Sequence, residues 1–286
     1  MTIKTVAVVG AGTMGQGIAQ AATLAGYHLF LFDISDALLA QAQARIFEAI
    51  DQGVARGKTL AADAAHAKHL LTCTSRLDFA AQSDLIIEAA PEEMALKRDI
   101  FARLDAAAAP HTILASNTSS LSINALAAAT ARPDRFLGLH FFNPAYIMKL
   151  VEVIRGDFTS QDTLDACMQF VRDLGKTPVA CLDTPAFIVN RVARPFYGEA
   201  FRLLGEQAAD VPTIDKLARS LGFRMGPFEL IDLIGCDVNL AVTQSVYDAY
   251  FQDPKYRPHP LQRRMVESNR LGRKTQHGFY DYRGRG

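Results

Sequence analysis

The chain has 286 residues, 49 % of them apolar, and no net charge at pH 7. That length suits two domains, or one large one, with a sizeable core. The balanced charge argues against a nucleic-acid binder, which needs a basic surface. No apolar run is long enough to span a bilayer. The opening MTIKTVAVVG enters a strand pattern without signal-peptide organisation, so a cytoplasmic protein with no membrane partner is expected. The cysteines Cys73, Cys167, Cys181 and Cys236 are scattered without a CxxC pair and read as reduced thiols. No metal site is apparent.

Lys4 to Val9 is a short β-branched apolar run, followed by a glycine-rich turn and a helical pattern from Thr13 to Ala25. Tyr27 to Phe32 reads as the next strand and ends at Asp33. Asp36 to Val54 carries helical spacing through Leu38, Leu39, Ala42, Ile46 and Ile50. Asp84 to Ala89 is strand-like, Met94 to Ala108 helical, and Thr112 to Ala115 strand-like again. A helix follows Ser160 through Leu174, then a strand at Thr177 to Cys181. Alternation of this kind predicts a parallel sheet covered on both faces, a Rossmann-like α/β domain over residues 1–183. Past the Asp-Thr-Pro step the pattern turns helical: Ile188 to Glu206, kinked at Pro195, then Val211 to Leu221, then Glu229 to Tyr250. Residues 184–286 thus read as an all-helical domain whose apolar faces need a partner, in the first domain or in a second subunit.

VAVVGAGTMGQGIAQ places Gly10-x-Gly12-x-x-Gly15 between a strand and a helix. The spacing alone is weak, but its context is that of a dinucleotide loop. Gly10 permits the tight turn, Gly12 lets the backbone approach a pyrophosphate, and Gly15 lets the helix pack on the strand. Backbone contacts along Gly10, Ala11, Gly12, Thr13, Met14 and Gly15 would meet the phosphates at the positive end of the helix dipole. Asp33, at the end of the second strand, can accept from ribose hydroxyls and would repel a 2′-phosphate. NAD is preferred over NADP.

RFLGLHFFNPAYIMKLVEVIRG has two apolar arms, each with one ionisable residue, His140 and Glu152. An antiparallel hairpin centred on Tyr146 sets these two opposite each other, within reach of one another. A carboxylate there would orient the imidazole and favour its protonated form. The alternative is a core histidine satisfied by any acceptor. The other six histidines read as exposed. In ILASNTSSLSI, Asn117 and the hydroxyls should lie at the carboxyl edge of the sheet, where ligands bind; Ser119 or Ser120 could equally cap the following helix. Asn190, in AFIVNRVARPF, either bonds locally or projects towards a substrate.

GAGTMGQGIAQ, ASNTSSLSI, RFLGLHFFNPAYIMKLVEVI, DTPAFIVNRV and MGPFELIDLIG, with LGRKTQHGFYDY at the end, occur in the order found in the NAD-dependent L-3-hydroxyacyl-CoA dehydrogenases, and the chain resembles that family along its whole length. The likeness is strongest to the short bacterial 3-hydroxybutyryl-CoA dehydrogenases. It implies reversible oxidation of an L-3-hydroxyacyl-CoA with NAD and a helical domain that forms a homodimer. By motif position it implies His140 as general acid/base with Glu152 as its partner, Ser119 on the reacting oxygen and Asn190 on the acyl group. It puts further cofactor contacts on Asp33, Glu92, Lys97, Asn143 and Lys274. Arg56 holds one basic position for CoA. The chain departs from the family at Gln52, where a base is usual, and at Ala186, where glycine is usual. SLGFRMGPFEL and the DVN after it are similar to enzymes of bacterial phenylacetate degradation that act on 3-hydroxyadipyl-CoA. Two other readings remain: a 6-phosphogluconate-type dehydrogenase, which would use a lysine, and a silent NAD-binding structural protein.

Overall fold

The computed structural model describes residues 2–284, in two units divided between Thr184 and Pro185. In the first unit β1 (Thr5–Val9) leads through the glycine loop into α1 (Thr13–Leu24), and β2 (His28–Phe32) into α2 (Asp36–Ala55). Ser35 caps α2 by accepting the Leu38 N–H, satisfying one of the orphan donors of a first turn. Three elements that the sequence pattern did not announce follow: α3 (Ala61–His69), β3 (Leu71–Thr74) and α4 (Leu77–Ala80). Then come β4 (Leu85–Glu88), α5 (Met94–Ala107), β5 (Ile113–Ser116), α6 (Ile123–Ala127), β6 (Phe136–Phe141), β7 (Leu150–Arg155), α7 (Gln161–Asp173) and β8 (Thr177–Leu182).

The strands form one sheet in the order β3-β2-β1-β4-β5-β6-β7-β8. All neighbours are parallel except β6 and β7, which are antiparallel. Strand order reverses between β1 and β4, the switch point at whose carboxyl side open α/β sheets bind ligands. The alternate residues Val6, Val8, Leu29, Leu31, Leu85 and Ile87 are buried against α1 (Ile18, Ala22), α2 (Leu39, Ile46, Ile50) and their neighbours. Each large apolar side chain so buried contributes about 1.5–3 kcal/mol.

The second unit is helical: α8 (Val189–Gly205), α9 (Val211–Ser220), α10 (Pro227–Ile234), α11 (Cys236–Ala249) and α12 (Pro260–Glu267). α8 runs through Pro195. The single helix expected over Glu229 to Tyr250 is two, broken at Gly235, whose φ is +104°; the left-handed region stops a helix and favours glycine. Tyr197, Phe201, Phe228, Ile231 and Met265 make the core. Two buried carboxylates fasten the C-terminal segment. Asp232 accepts from the backbone of Phe279 and Tyr280, and Asp215 from the Tyr280 hydroxyl. Burial raises the Asp215 pKa in spite of these bonds.

Two of the six histidines expected at the surface, His259 and His277, are half-buried instead. His259 caps α12, its Nδ1 accepting the Leu261 N–H, and stacks on Phe201. All four cysteines are free thiols. Among the described residues no helix is long and apolar enough to cross a membrane, and no cluster of His, Cys, Asp or Glu could hold a metal ion.

Candidate active site

The carboxyl ends of four strands are in register, Phe32, Val9, Glu88 and Ser116 pairing in sequence across β2, β1, β4 and β5, and β6, paired at Gly138, runs three residues further on the same side. Asp33, Gly10, Asn117 and His140 therefore emerge along one edge of the sheet.

At the switch point Gly10 has φ +110°, and a Cβ there would lie 2.7 Å from the Ala89 carbonyl oxygen. A Cβ on Gly15 would come within 1.8 Å of the Gly10 carbonyl oxygen, so α1 packs directly on the turn. At Gly12 a Cβ would meet nothing within 4 Å; the outer side of the loop is open. Gly12 is also the N-cap of α1 and provides no side-chain acceptor, which leaves first-turn N–H groups available to an anion. Asp33 is half-buried. Its Oδ2 accepts the Ala11 N–H at 2.9 Å and its Oδ1 the Ser35 N–H at 3.2 Å, so the carboxylate that would face a ribose also sets the shape of the loop. Asn143 and Tyr146 line one crevice with Thr13 and Gln16 of α1. The residues present fit a dinucleotide.

Glu88, for which the sequence pattern assigns no role, is fully buried at the end of β4. Its Oε1 accepts from Lys97 Nζ at 2.6 Å and from the Ala90 N–H at 2.6 Å, and its Oε2 from Ser116 Oγ at 2.6 Å. Lys97, expected on the cofactor, is only 1 % exposed. Its ammonium is directed at Glu88, at the Ala90 carbonyl (3.1 Å) and at Glu92 Oε2 (3.4 Å). A buried charge is tolerable only when paired and hydrogen-bonded, and that pairing turns Lys97 inward. The available signal was the charged residue ending the apolar strand LIIE.

Glu92 gathers the serine loop. Its Oε1 accepts from Thr118 Oγ1 at 2.6 Å, the Ser119 N–H at 2.8 Å and Ser119 Oγ at 3.2 Å, and more weakly from Ser120. Burial pushes the Glu92 carboxyl up, but the Thr118 and Ser119 bonds and the Lys97 charge outweigh it and hold the pKa below its ordinary value. Neither Ser119 nor Ser120 caps the following helix. Ser122 does, accepting the Ala125 N–H, because Glu92 already claims the earlier serines. Asn117 Oδ1 accepts the Phe141 N–H at 2.9 Å, tying the loop after β5 to the end of β6.

β6 and β7 pair with His140 directly opposite Glu152, as the mirrored spacing predicts. His140 Nδ1 lies 2.6 Å from Glu152 Oε2; the two residues are 6 % and 1 % exposed. The Phe142 ring packs against the imidazole, with centroids 4.4 Å apart. A carboxylate at Nδ1 fixes the orientation of the ring and favours the tautomer with its proton on Nδ1.

Arg56 ends α2 and is exposed, and Gln52 bonds Glu48. In the helical unit, Asn190 is half-buried in the first turn of α8, and Lys274 pairs with Asp237 at 2.5 Å. Ala186 is buried with φ +68°, a conformation costly for a side-chain-bearing residue.

Residues 5–184 match the family model described as 3-hydroxyacyl-CoA dehydrogenase, NAD binding domain, and residues 187–282 match its C-terminal domain. The chain is 45 % identical to a 3-hydroxyadipyl-CoA dehydrogenase of Escherichia coli over 99 % of its own length, and spans 60 % of that relative. It is 46 % identical to a 3-hydroxybutyryl-CoA dehydrogenase of Bradyrhizobium diazoefficiens, covering 99 % of this chain and 96 % of the other. The crystal structure of (S)-3-hydroxybutyryl-CoA dehydrogenase from Ralstonia eutropha superimposes with a TM-score of 0.95 at 43 % identity, covering 98 % of this chain and 99 % of that one. Loop, sheet order and both halves of the sequence agree: the chain belongs to the NAD-dependent 3-hydroxyacyl-CoA dehydrogenase family.

Proposed function

We propose that the chain catalyses reversible, NAD-dependent oxidation of a short L-3-hydroxyacyl-CoA to the 3-oxoacyl-CoA, with His140 as the general acid/base and Glu152 as its orienting partner. The observation that carries this reading is the buried 2.6 Å contact between His140 Nδ1 and Glu152 Oε2 at the dinucleotide edge of the sheet.

NAD, when bound, supplies the acceptor for the hydride leaving C3. The protein supplies the rest. His140 Nε2 takes the proton of the C3 hydroxyl as the carbonyl forms and returns it in the reductive direction. A positioned imidazole suits that transfer near neutral pH. Glu152 fixes the ring and stabilises the imidazolium. Ser119, in the loop held by Glu92, is assigned to the reacting oxygen, and Asn190 to the acyl group. Asp33 and Asn143 are assigned to the cofactor with the glycine loop. Glu92 and Lys97 serve it by shaping the loop, Lys97 from inside the protein. Lys274 is assigned to the cofactor and Arg56 to CoA. Residues 184–286 are assigned to substrate binding and homodimerisation, the latter supported by the exposed Val192, Leu217, Leu221, Phe223, Leu233 and Val238.

NADH oxidation with acetoacetyl-CoA, run beside NADPH, tests the reading. Turnover with NADH well above that with NADPH is expected. Protein that binds NADH but turns over no 3-oxoacyl-CoA would contradict it and favour a silent binding protein.

A further inference from the structure

Lys176 stands in the turn between α7 and β8 and is only 8 % exposed. Its side chain leaves that turn for the loop joining β6 to β7. There Nζ donates to the Ala145 carbonyl at 2.6 Å and to the Met148 carbonyl at 2.8 Å. Both acceptors are neutral, and no carboxylate pairs with the ammonium among the described residues. The charged groups that share its surroundings are otherwise engaged. Lys149 Nζ donates to the Gly175 carbonyl at 3.1 Å, and Asp173 accepts from the Tyr27 hydroxyl at 2.9 Å and from Gln169 Nε2 at 2.7 Å. Burial, with the Lys149 charge beside it, lowers the Lys176 pKa from its ordinary value. A buried cation without a counter-charge is costly, and an apolar side chain would fill such a space at less cost. The ammonium therefore has a task other than filling.

The loop that it holds reaches the candidate site. Phe142, at its start, packs against the His140 ring. Asn143, Pro144 and Tyr146 line a crevice whose other side is formed by Thr13 and Gln16 of α1. Ala145, between them, is 2 % exposed, and α1 meets it at Gly17, where a Cβ would lie 3.0 Å from Ala145 Cβ. Ala145 is thus gripped from two sides, by the bare backbone of α1 and by Lys176. Within the loop the Ile147 and Met148 N–H groups both donate to the Pro144 carbonyl at 2.9 Å, so the turn is braced internally and the two grips set its distance from α1.

We propose that Lys176 is a positioning residue: by holding the Ala145 and Met148 carbonyls it fixes the width of this crevice and sets Asn143 for the cofactor. This rests on the assignment of Asn143 and the glycine loop to NAD above. Lys176 does not line the crevice and acts through the loop. Its charge matters because an ammonium holds carbonyl dipoles more tightly than a neutral donor does.

The test measures three quantities in wild-type protein and in Lys176→Met: NADH affinity by fluorescence titration, kcat with acetoacetyl-CoA at saturating NADH, and the melting temperature. The dissociation constant for NADH should rise about tenfold or more, the scale of one hydrogen bond to a charged group. The kcat should change little, because the register of β6 and β7, and not Lys176, sets His140 opposite Glu152. Lys176→Arg, which keeps the charge, should recover part of the affinity. Should Lys176→Met fail to fold, Lys176→Gln, which keeps an N–H donor and loses the charge, takes its place with the same expectation. A lower melting temperature with NADH affinity unchanged, or an equal loss of affinity and kcat, means that Lys176 only braces the turn and overturns the proposal. NADH binding is read without turnover, so the two readings fail separately. Wild-type protein that binds NADH but turns over no 3-oxoacyl-CoA overturns the dehydrogenase reading and leaves the affinities to decide this one; wild-type protein that binds no NADH overturns both.

Discussion

His140 and Glu152 face each other across the antiparallel pair β6–β7, one side chain from each strand, joined through Nδ1 and Oε2 in a buried setting. The neighbours of Glu152, Val151 and Val153, are fully buried in the core on the other face of the sheet. A slip of one residue would exchange the faces and separate the pair, so the packing of the valines fixes the register of the dyad. Replacing Glu152 by Gln keeps the shape and removes the charge. Turnover should fall by about 10²–10⁴-fold while NADH affinity, read by fluorescence titration, holds. Parallel loss of both would point to a merely structural role.

The Glu88–Lys97 pair predicts a stability effect. Lys97→Met leaves a buried carboxylate without its counter-charge and should cost about 3–5 kcal/mol. Adding Glu88→Gln should recover part of that loss. Urea denaturation of the two single variants and the double variant measures the coupling; additive losses would mean the two charges do not depend on each other.

Glu92 predicts a pH dependence. Its folded-state pKa is lowered from the ordinary value of 4.5, so its contribution is present in full above that value and disappears as pH falls through the lower, folded value. The stability difference between wild-type protein and Glu92→Gln should therefore be steady at neutral pH and shrink below 4.5. A difference that grows on acidification would reverse the sign of the argument.

Two glycines of one motif should separate binding from folding. A methyl at Gly12 meets nothing within 4 Å, whereas one at Gly15 falls on the Gly10 carbonyl oxygen. Gly12→Ala should melt near the wild-type temperature and weaken NADH binding. Gly15→Ala should lower the melting temperature as well. Equal melting temperatures for the two would contradict the packing described at Gly15.

The parts legible in the sequence were those governed by local rules. The glycine loop announced itself because a turn, a phosphate approach and a helix contact each demand a small residue at a fixed spacing. The His140–Glu152 pairing was legible because hairpin register is arithmetic. The Glu88–Lys97–Glu92 network was not, since it joins residues on β4, on α5 and in the turn between them whose meeting depends on side-chain direction. Ser122 took the capping role from Ser119 and Ser120 for the same reason: a carboxylate from another loop had claimed them. The break at Gly235 was masked because this one glycine ends α10 and begins α11, with no turn segment between them to mark the joint. β3 escaped notice because its LTCT sequence is short and half polar.

His140 is assigned the proton of the C3 hydroxyl. Wild-type protein and His140→Gln should be compared for steady-state NADH oxidation with acetoacetyl-CoA, and for NADH affinity by fluorescence titration. Turnover in the variant should fall by about 10²-fold or more, with NADH affinity little changed. Retention of most of the wild-type turnover in His140→Gln, or an equal loss of turnover and affinity, would contradict it.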